Sequence, residues 1–131
     1  MKVLGLDFGA ARTGVAVTDP TGTIARPLGV VERAASPSGL ERIAEIVRTE
    51  DVDCVVVGLP LTLRGEHGEQ AQVTEEFVAA LRDVVAVPVE TYDERFTTAL
   101  AASAPTGSAP EDARAAAHLL EGYMRRRGSG A

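Results

Sequence analysis

The chain is poor in cysteine, in lysine and in long apolar runs. Cys54 is the one cysteine among 131 residues, which rules out an internal disulfide and fits a reducing compartment, so a cytoplasmic location is expected. No stretch approaches the 18 or so consecutive apolar residues of a membrane-spanning helix, and no membrane association is expected. Met1-Lys2 leads directly into apolar sequence, so no signal peptide is expected. Lys2 is the sole lysine, nearly all positive charge is arginine, and the net charge is −6. An acidic balance argues against a protein that coats nucleic acid generally. It leaves room for an enzyme with clustered carboxylates, because bound divalent ions reverse the local field. No internal repeat is visible. With 45% hydrophobic residues the chain can bury a core, and its length predicts a single domain over residues 1–131.

The stretch Lys2 to Asp19, KVLGLDFGAARTGVAVTD, organises the rest. Val3, Leu4 and Leu6 form an apolar run ending at Asp7, and a second run covers Gly14 to Val17. The pattern predicts two strands joined by a turn that carries Gly9. Asp7 then stands at the end of a buried strand, beside backbone N–H groups that the small Gly9 leaves open to a ligand. A carboxylate there either closes an Asx turn or holds a cation, since an unpaired one is costly.

Ile24 to Val31 reads as a third strand, and Pro27 places it at a sheet edge. Ser38-Gly39-Leu40-Glu41 has the spacing of a capping box, opening a helix with Leu40, Ile43, Ala44 and Val47 on one face. The unbroken run Asp53 to Gly58 predicts a strand covered on both faces, with Cys54 a small core residue. Leu59 to Gln70 is a loop. A second helix carries Val73, Phe77, Leu81 and Val84. Val87 to Tyr92 is a fifth strand with Asp93-Glu94-Arg95 at its end. A last helix over Pro110 to Arg127 buries Ala113, Ala116, Ala117, Leu120 and Met124, with Pro110 suited to its first turn.

Three strands with short connections, then helix, strand, helix, strand, helix, predict an α/β fold. Its mixed five-stranded sheet has antiparallel early strands, parallel later ones and helices on its faces. The Asp7 strand should be central. Sites in such sheets form beyond the carboxyl ends of parallel strands, where Asp7, Gly58 and Asp93-Glu94 all fall.

The segments DFGAARTGVAVTD, VVGLPL, DERFTT (93–98) and DARAAAHLLEGY (112–123), in this order along nearly the whole chain, resemble the YqgF/RuvX family of pre-16S ribosomal RNA processing nucleases. The resemblance implies an RNase H-like fold of the RuvC resolvase type. It also implies a hydrolase of phosphodiester bonds, active in ribosome biogenesis, that uses Mg²⁺ or Mn²⁺ in a two-metal site. Carried over by position, its acids are Asp7, Glu94 and Asp112, as catalytic residues and metal ligands. Carboxylate oxygens suit such hard ions and a thiolate does not. Gly9, Arg12, Arg95, Thr97 and Thr98 stand where a substrate phosphate would be held. Three features depart from the family pattern. Ala11 replaces one of a basic pair, Thr62-Leu63-Arg64 follows GLPL, and only 13 residues separate Thr98 from Asp112.

Each residue has a structural alternative. An acid at Asp112 also favours a helix N-terminus, and Asp93 with Arg95 forms a salt bridge as readily as a site. His67 and His118 are not expected as ligands; His118 stands six positions after Asp112, which puts them on different helix faces. Nucleic acid is the expected partner, RNA ahead of structured DNA, and a monomer is favoured over a dimer. A Holliday-junction resolvase and a non-catalytic RNA-binding assembly protein are the competing functions. An actin-like ATPase, which DFG and the glycine turn also resemble, needs a second domain that 131 residues cannot supply.

Overall fold

The computed structural model describes residues 1–9, 11–59, 68–93 and 111–129. Five strands form one sheet: β1 (Val3–Asp7), β2 (Arg12–Thr18), β3 (Ala25–Glu32), β4 (Cys54–Leu59) and β5 (Val89–Asp93). Their spatial order is β3-β2-β1-β4-β5. The β1–β2 and β2–β3 pairs are antiparallel, whereas β1–β4 and β4–β5 are parallel. The Asp7 strand is therefore central and the Pro27 strand lies at an edge, as expected from strand order and proline chemistry.

Strand alternation sorts the side chains onto two faces. Leu4, Leu6, Val15, Val17, Val55 and Val57 join the core beneath α1 (Pro37–Glu50) and α2 (Glu69–Arg82). Val3, Ala16, Cys54 and Val56 pack with Ala116, Leu119, Leu120 and Tyr123 of α3 (Glu111–Ser129) on the opposite face. All six residues of β4 are buried, which explains its unbroken apolar run. Gly5 fits beneath α3 because a Cβ there would collide with the Leu120 side chain.

Two local expectations are corrected. Helix α1 starts one turn-half earlier than the Ser38 box: Ser36 is the N-cap, its hydroxyl accepts from the Gly39 N–H at 3.1 Å, and Pro37 opens the helix. The third residue after Ser36 is glycine, so no glutamate returns the bond as a capping box requires. In α2 the buried face carries Ala71, Thr74, Phe77, Val78 and Leu81, whereas Val73 and Val84 are exposed. Val84 falls beyond the last turn of the helix. The inward stripe admits Thr74 because its hydroxyl bonds the Gln70 carbonyl at 2.9 Å, a bond that satisfies a buried polar group within the helix. In α3, Ala113, Ala116, Ala117 and Leu120 are buried as expected, with Leu119 and Tyr123 added and Met124 at the margin.

Candidate active site

Asp7 is the last residue of β1. Alternation along the strand puts it on the face of Val3 and Gly5, which is the α3 face. The next residue, Phe8, turns the other way and stacks on Phe77 of α2, ring centroids 4.4 Å apart and planes 18° from parallel. The stacked ring holds the chain just after Asp7 against the far core, so the carboxylate is directed toward α3. Asp7 is half-buried, and no hydrogen bond or ion pair joins its carboxylate to another described residue. It does not close an Asx turn among these residues. The turn is tied instead between Gly9 and Thr13, where the Gly9 N–H lies 3.4 Å from the buried Thr13 hydroxyl. A Cβ on Gly9 would fall 2.5 Å from the Arg12 carbonyl oxygen, so this tight approach demands glycine.

Asp112 reaches the same place from the other end of the chain. Asp7 pairs in register with Gly14 of β2. Gly14 faces α3, and a Cβ there would overlap the Asp112 carbonyl and press on the Ala113 nitrogen. The first turn of α3 therefore rests on the backbone of the residue paired with Asp7. Two aspartates 105 positions apart in the chain are thus brought to one end of one sheet face. Arg12, two residues before Gly14 and on the same face, places its Nε 3.3 Å from Asp112 Oδ2. Both side chains are partly open to solvent.

Of the remaining expected site residues, Glu94, Arg95, Thr97 and Thr98 lie outside the described residues, as does the Asp93–Arg95 pairing. The strand that leads to them is described: β5 pairs with β4 through Leu59 and Asp93, so it ends at the same carboxyl edge as β1. Among the described residues no three His, Cys, Asp or Glu side chains cluster as a metal site would require. Asp7 and Asp112, carried by backbone segments that adjoin at Gly14, offer hard carboxylate oxygens, and Asp7 lacks any described partner, so this donor set fits a hard divalent cation. Cys54 is excluded as a ligand. It is buried and pairs with Val3, four residues along β1 from Asp7 and so about 13 Å away at the ~3.3 Å rise of a strand. His118 is buried on α3 with Nδ1 3.0 Å from Glu121 Oε1, a local pair apart from the acids. Two features of the site escape sequence reasoning: the Arg12–Asp112 pair and the need for glycine at position 14.

The family model described as "RuvX: Holliday junction resolvase" matches residues 1–126. The chain belongs to the RuvX family. A relative from Desulforudis audaxviator, named "Putative pre-16S rRNA nuclease", is 43% identical over 138 residues, covering 99% of this chain and 98% of its own. A Chloroflexus aggregans relative of the same name is 46% identical over 76% of this chain and 70% of its own. Among solved structures, Thermus thermophilus RuvC in complex with a Holliday junction substrate aligns at a TM-score of 0.59 with 22% identity, covering 97% and 96% of the two chains. The fowlpox virus Holliday junction resolvase aligns at 0.52 with 12% identity, covering 96% of this chain and 99% of its own. At such identities these likenesses establish the fold, which is the RNase H-like fold of RuvC. RuvX membership makes this chain a member of a nuclease family, and a nuclease hydrolyses phosphodiester bonds. No helix among the described residues is long and apolar enough to cross a membrane.

Proposed function

We propose that this chain is a cytoplasmic, monomeric, divalent-metal-dependent nuclease that hydrolyses phosphodiester bonds in RNA, acting at the 5′ end of pre-16S ribosomal RNA. It works as one domain over residues 1–131. Asp7, Glu94 and Asp112 hold Mg²⁺ or Mn²⁺ and act as the catalytic acids. Ions held by such carboxylates supply an activated water and neutralise the departing oxygen. Asp7 is the central ligand, because β1 is the middle strand and its carboxylate is free of described partners. Asp112 joins it from the first turn of α3 across Gly14. Glu94 follows the last residue of β5, two positions on from Tyr92, a residue that packs against the α3-side core. Gly9 keeps the first turn narrow enough for backbone N–H groups to approach a phosphate. Arg12 neutralises phosphate charge beside it, and Arg95, Thr97 and Thr98 supply further donors.

The observation that supports it is that the helical turn carrying Asp112 rests on Gly14, the register partner of Asp7. The experiment is cleavage by the purified protein with Mn²⁺ on a 16S precursor, single-stranded DNA and a four-way junction. Preferential cutting of the precursor is the expected result. Preferential cutting of the junction favours a resolvase instead, the activity named in the family description. Binding of the precursor with no cleavage of any substrate makes this a non-catalytic RNA-binding assembly protein.

A further inference from the structure

Arg12 has two acidic neighbours to choose from. Its register partner across the β2–β3 ladder is Glu32, a direct cross-strand pair whose side chains lie on the same face. Yet the guanidinium reaches past it to Asp112, Nε to Oδ2 at 3.3 Å. Both ends of that pair are anchored by backbone. Arg12 begins a strand, and Asp112 sits in a helical turn seated on Gly14. Side-chain rotation is enough to part them, and Arg12, two-thirds exposed, is the more open of the two.

We propose that Arg12 is the resident counter-ion of Asp112, displaced when a divalent cation binds, so that metal entry and release of Arg12 toward a substrate phosphate are one coupled event. This deepens the function proposed above and rests on its assignment of Asp112 to the metal site. A carboxylate oxygen engaged by a guanidinium is a poorer ligand, and a guanidinium engaged by a carboxylate is a poorer phosphate partner. The pair therefore keeps the acid neutralised and the cation occupied in the metal-free protein. Once the ion takes Asp112, the freed Arg12 faces a phosphate that the same ion attracts. Reciprocity follows: a bound phosphate that takes Arg12 leaves Asp112 open and raises metal affinity by the same factor. The coupling is modest, because an ion pair this exposed is worth no more than about a fivefold change in an equilibrium.

The test follows the Arg12 Nε–H signal by NMR during a Mg²⁺ titration of the whole protein without nucleic acid, the signal being assigned by its loss in Arg12→Lys. Calorimetry on the same samples reports Mg²⁺ binding independently. The expected result is a saturable movement of the Arg12 signal toward that of a free arginine, with the midpoint of the calorimetric curve. Arg12→Ala should bind Mg²⁺ about two- to fivefold more tightly than wild type. Saturable Mg²⁺ heat with an unmoved Arg12 signal, or with unchanged affinity in Arg12→Ala, overturns the displacement and leaves the metal site standing. Absence of saturable Mg²⁺ heat in wild type overturns the metal site itself, and the displacement with it.

Discussion

Gly14 and Asp112 touch backbone to backbone, so that a single methyl group at position 14 has no room beside the Asp112 carbonyl. Few contacts tie the sheet to the candidate site so directly, because Gly14 is also the register partner of Asp7. Gly14→Ala should therefore both destabilise the fold and weaken Mn²⁺ binding. Neither neighbour is a flexible side-chain end, so the destabilisation should reach the upper part of the ~1–3 kcal/mol range for overpacking. Gly29→Ala is the control. Nothing lies within 4 Å of a Cβ there, and its stability should stay within about 0.5 kcal/mol of wild type. Denaturant melts and Mn²⁺ calorimetry on the two variants check both halves. Equal stability for the two would contradict the packing described.

Gly5 of β1 and Leu120 form a second close contact between the sheet and α3, but here the opposing atoms belong to a side chain. Leu120 is fully buried. Leu120→Ala alone should cost about 2–5 kcal/mol through lost burial and a residual cavity, and Gly5→Ala alone about 1–3 kcal/mol through overpacking. Combined, the new methyl occupies space the leucine vacated. The double variant should be more stable than the sum of the single losses implies, by more than the ~0.5 kcal/mol expected of independent sites. Strict additivity in urea melts would show that the two positions do not share that space.

The turn after β2 holds a carboxylate below its ordinary range. Asp19 accepts the Thr21 hydroxyl at 2.6 Å and the N–H groups of Ile24 and Thr23 at 3.1 and 2.8 Å. These donors, Thr21 foremost, lower its pKa from 3.8 to about 2. A folded-state value below the unfolded one means the stabilisation is fully present above pH 3.8 and is lost as the pH falls toward about 2. Asp19→Asn should flatten the fall of the thermal midpoint across that window while leaving its slope above pH 5 unchanged. Parallel curves for the two proteins from about pH 4 to pH 2 would remove Asp19 from acid unfolding.

Much of this architecture is legible from local pattern alone. β1 is central because one hairpin and one helical crossover both return to it, and Pro27 marks β3 as an edge because a proline cannot donate to a second neighbour. Asp7 stands out because a charged residue ends an apolar strand beside a glycine turn. Less visible is anything decided by a distant segment. The capping-box spacing points to Ser38, yet the cap is Ser36, the residue immediately before Pro37. The inward face of α2 passes through Thr74 rather than Val73, because a threonine can satisfy its hydroxyl inside its own helix. Gly14 looks like an ordinary strand glycine until α3 is seated on it. The Arg12–Asp112 pair spans 100 positions of the chain, and no spacing rule reaches that far.

The central claim is that Asp7 works as a metal-holding acid rather than as a structural one. Asp7→Asn removes its charge and nearly preserves its shape. Metal-free stability should hold, because no described partner loses a bond. Cleavage should fall by orders of magnitude. The most direct measurement compares the rate at which wild type and Asp7→Asn cut a 16S precursor under saturating Mn²⁺, with the metal-free thermal midpoint of each recorded alongside. Matched midpoints are expected, with a loss of cleavage of at least about a hundredfold, the scale of removing one catalytic group. Equal cleavage rates for the two proteins would contradict it.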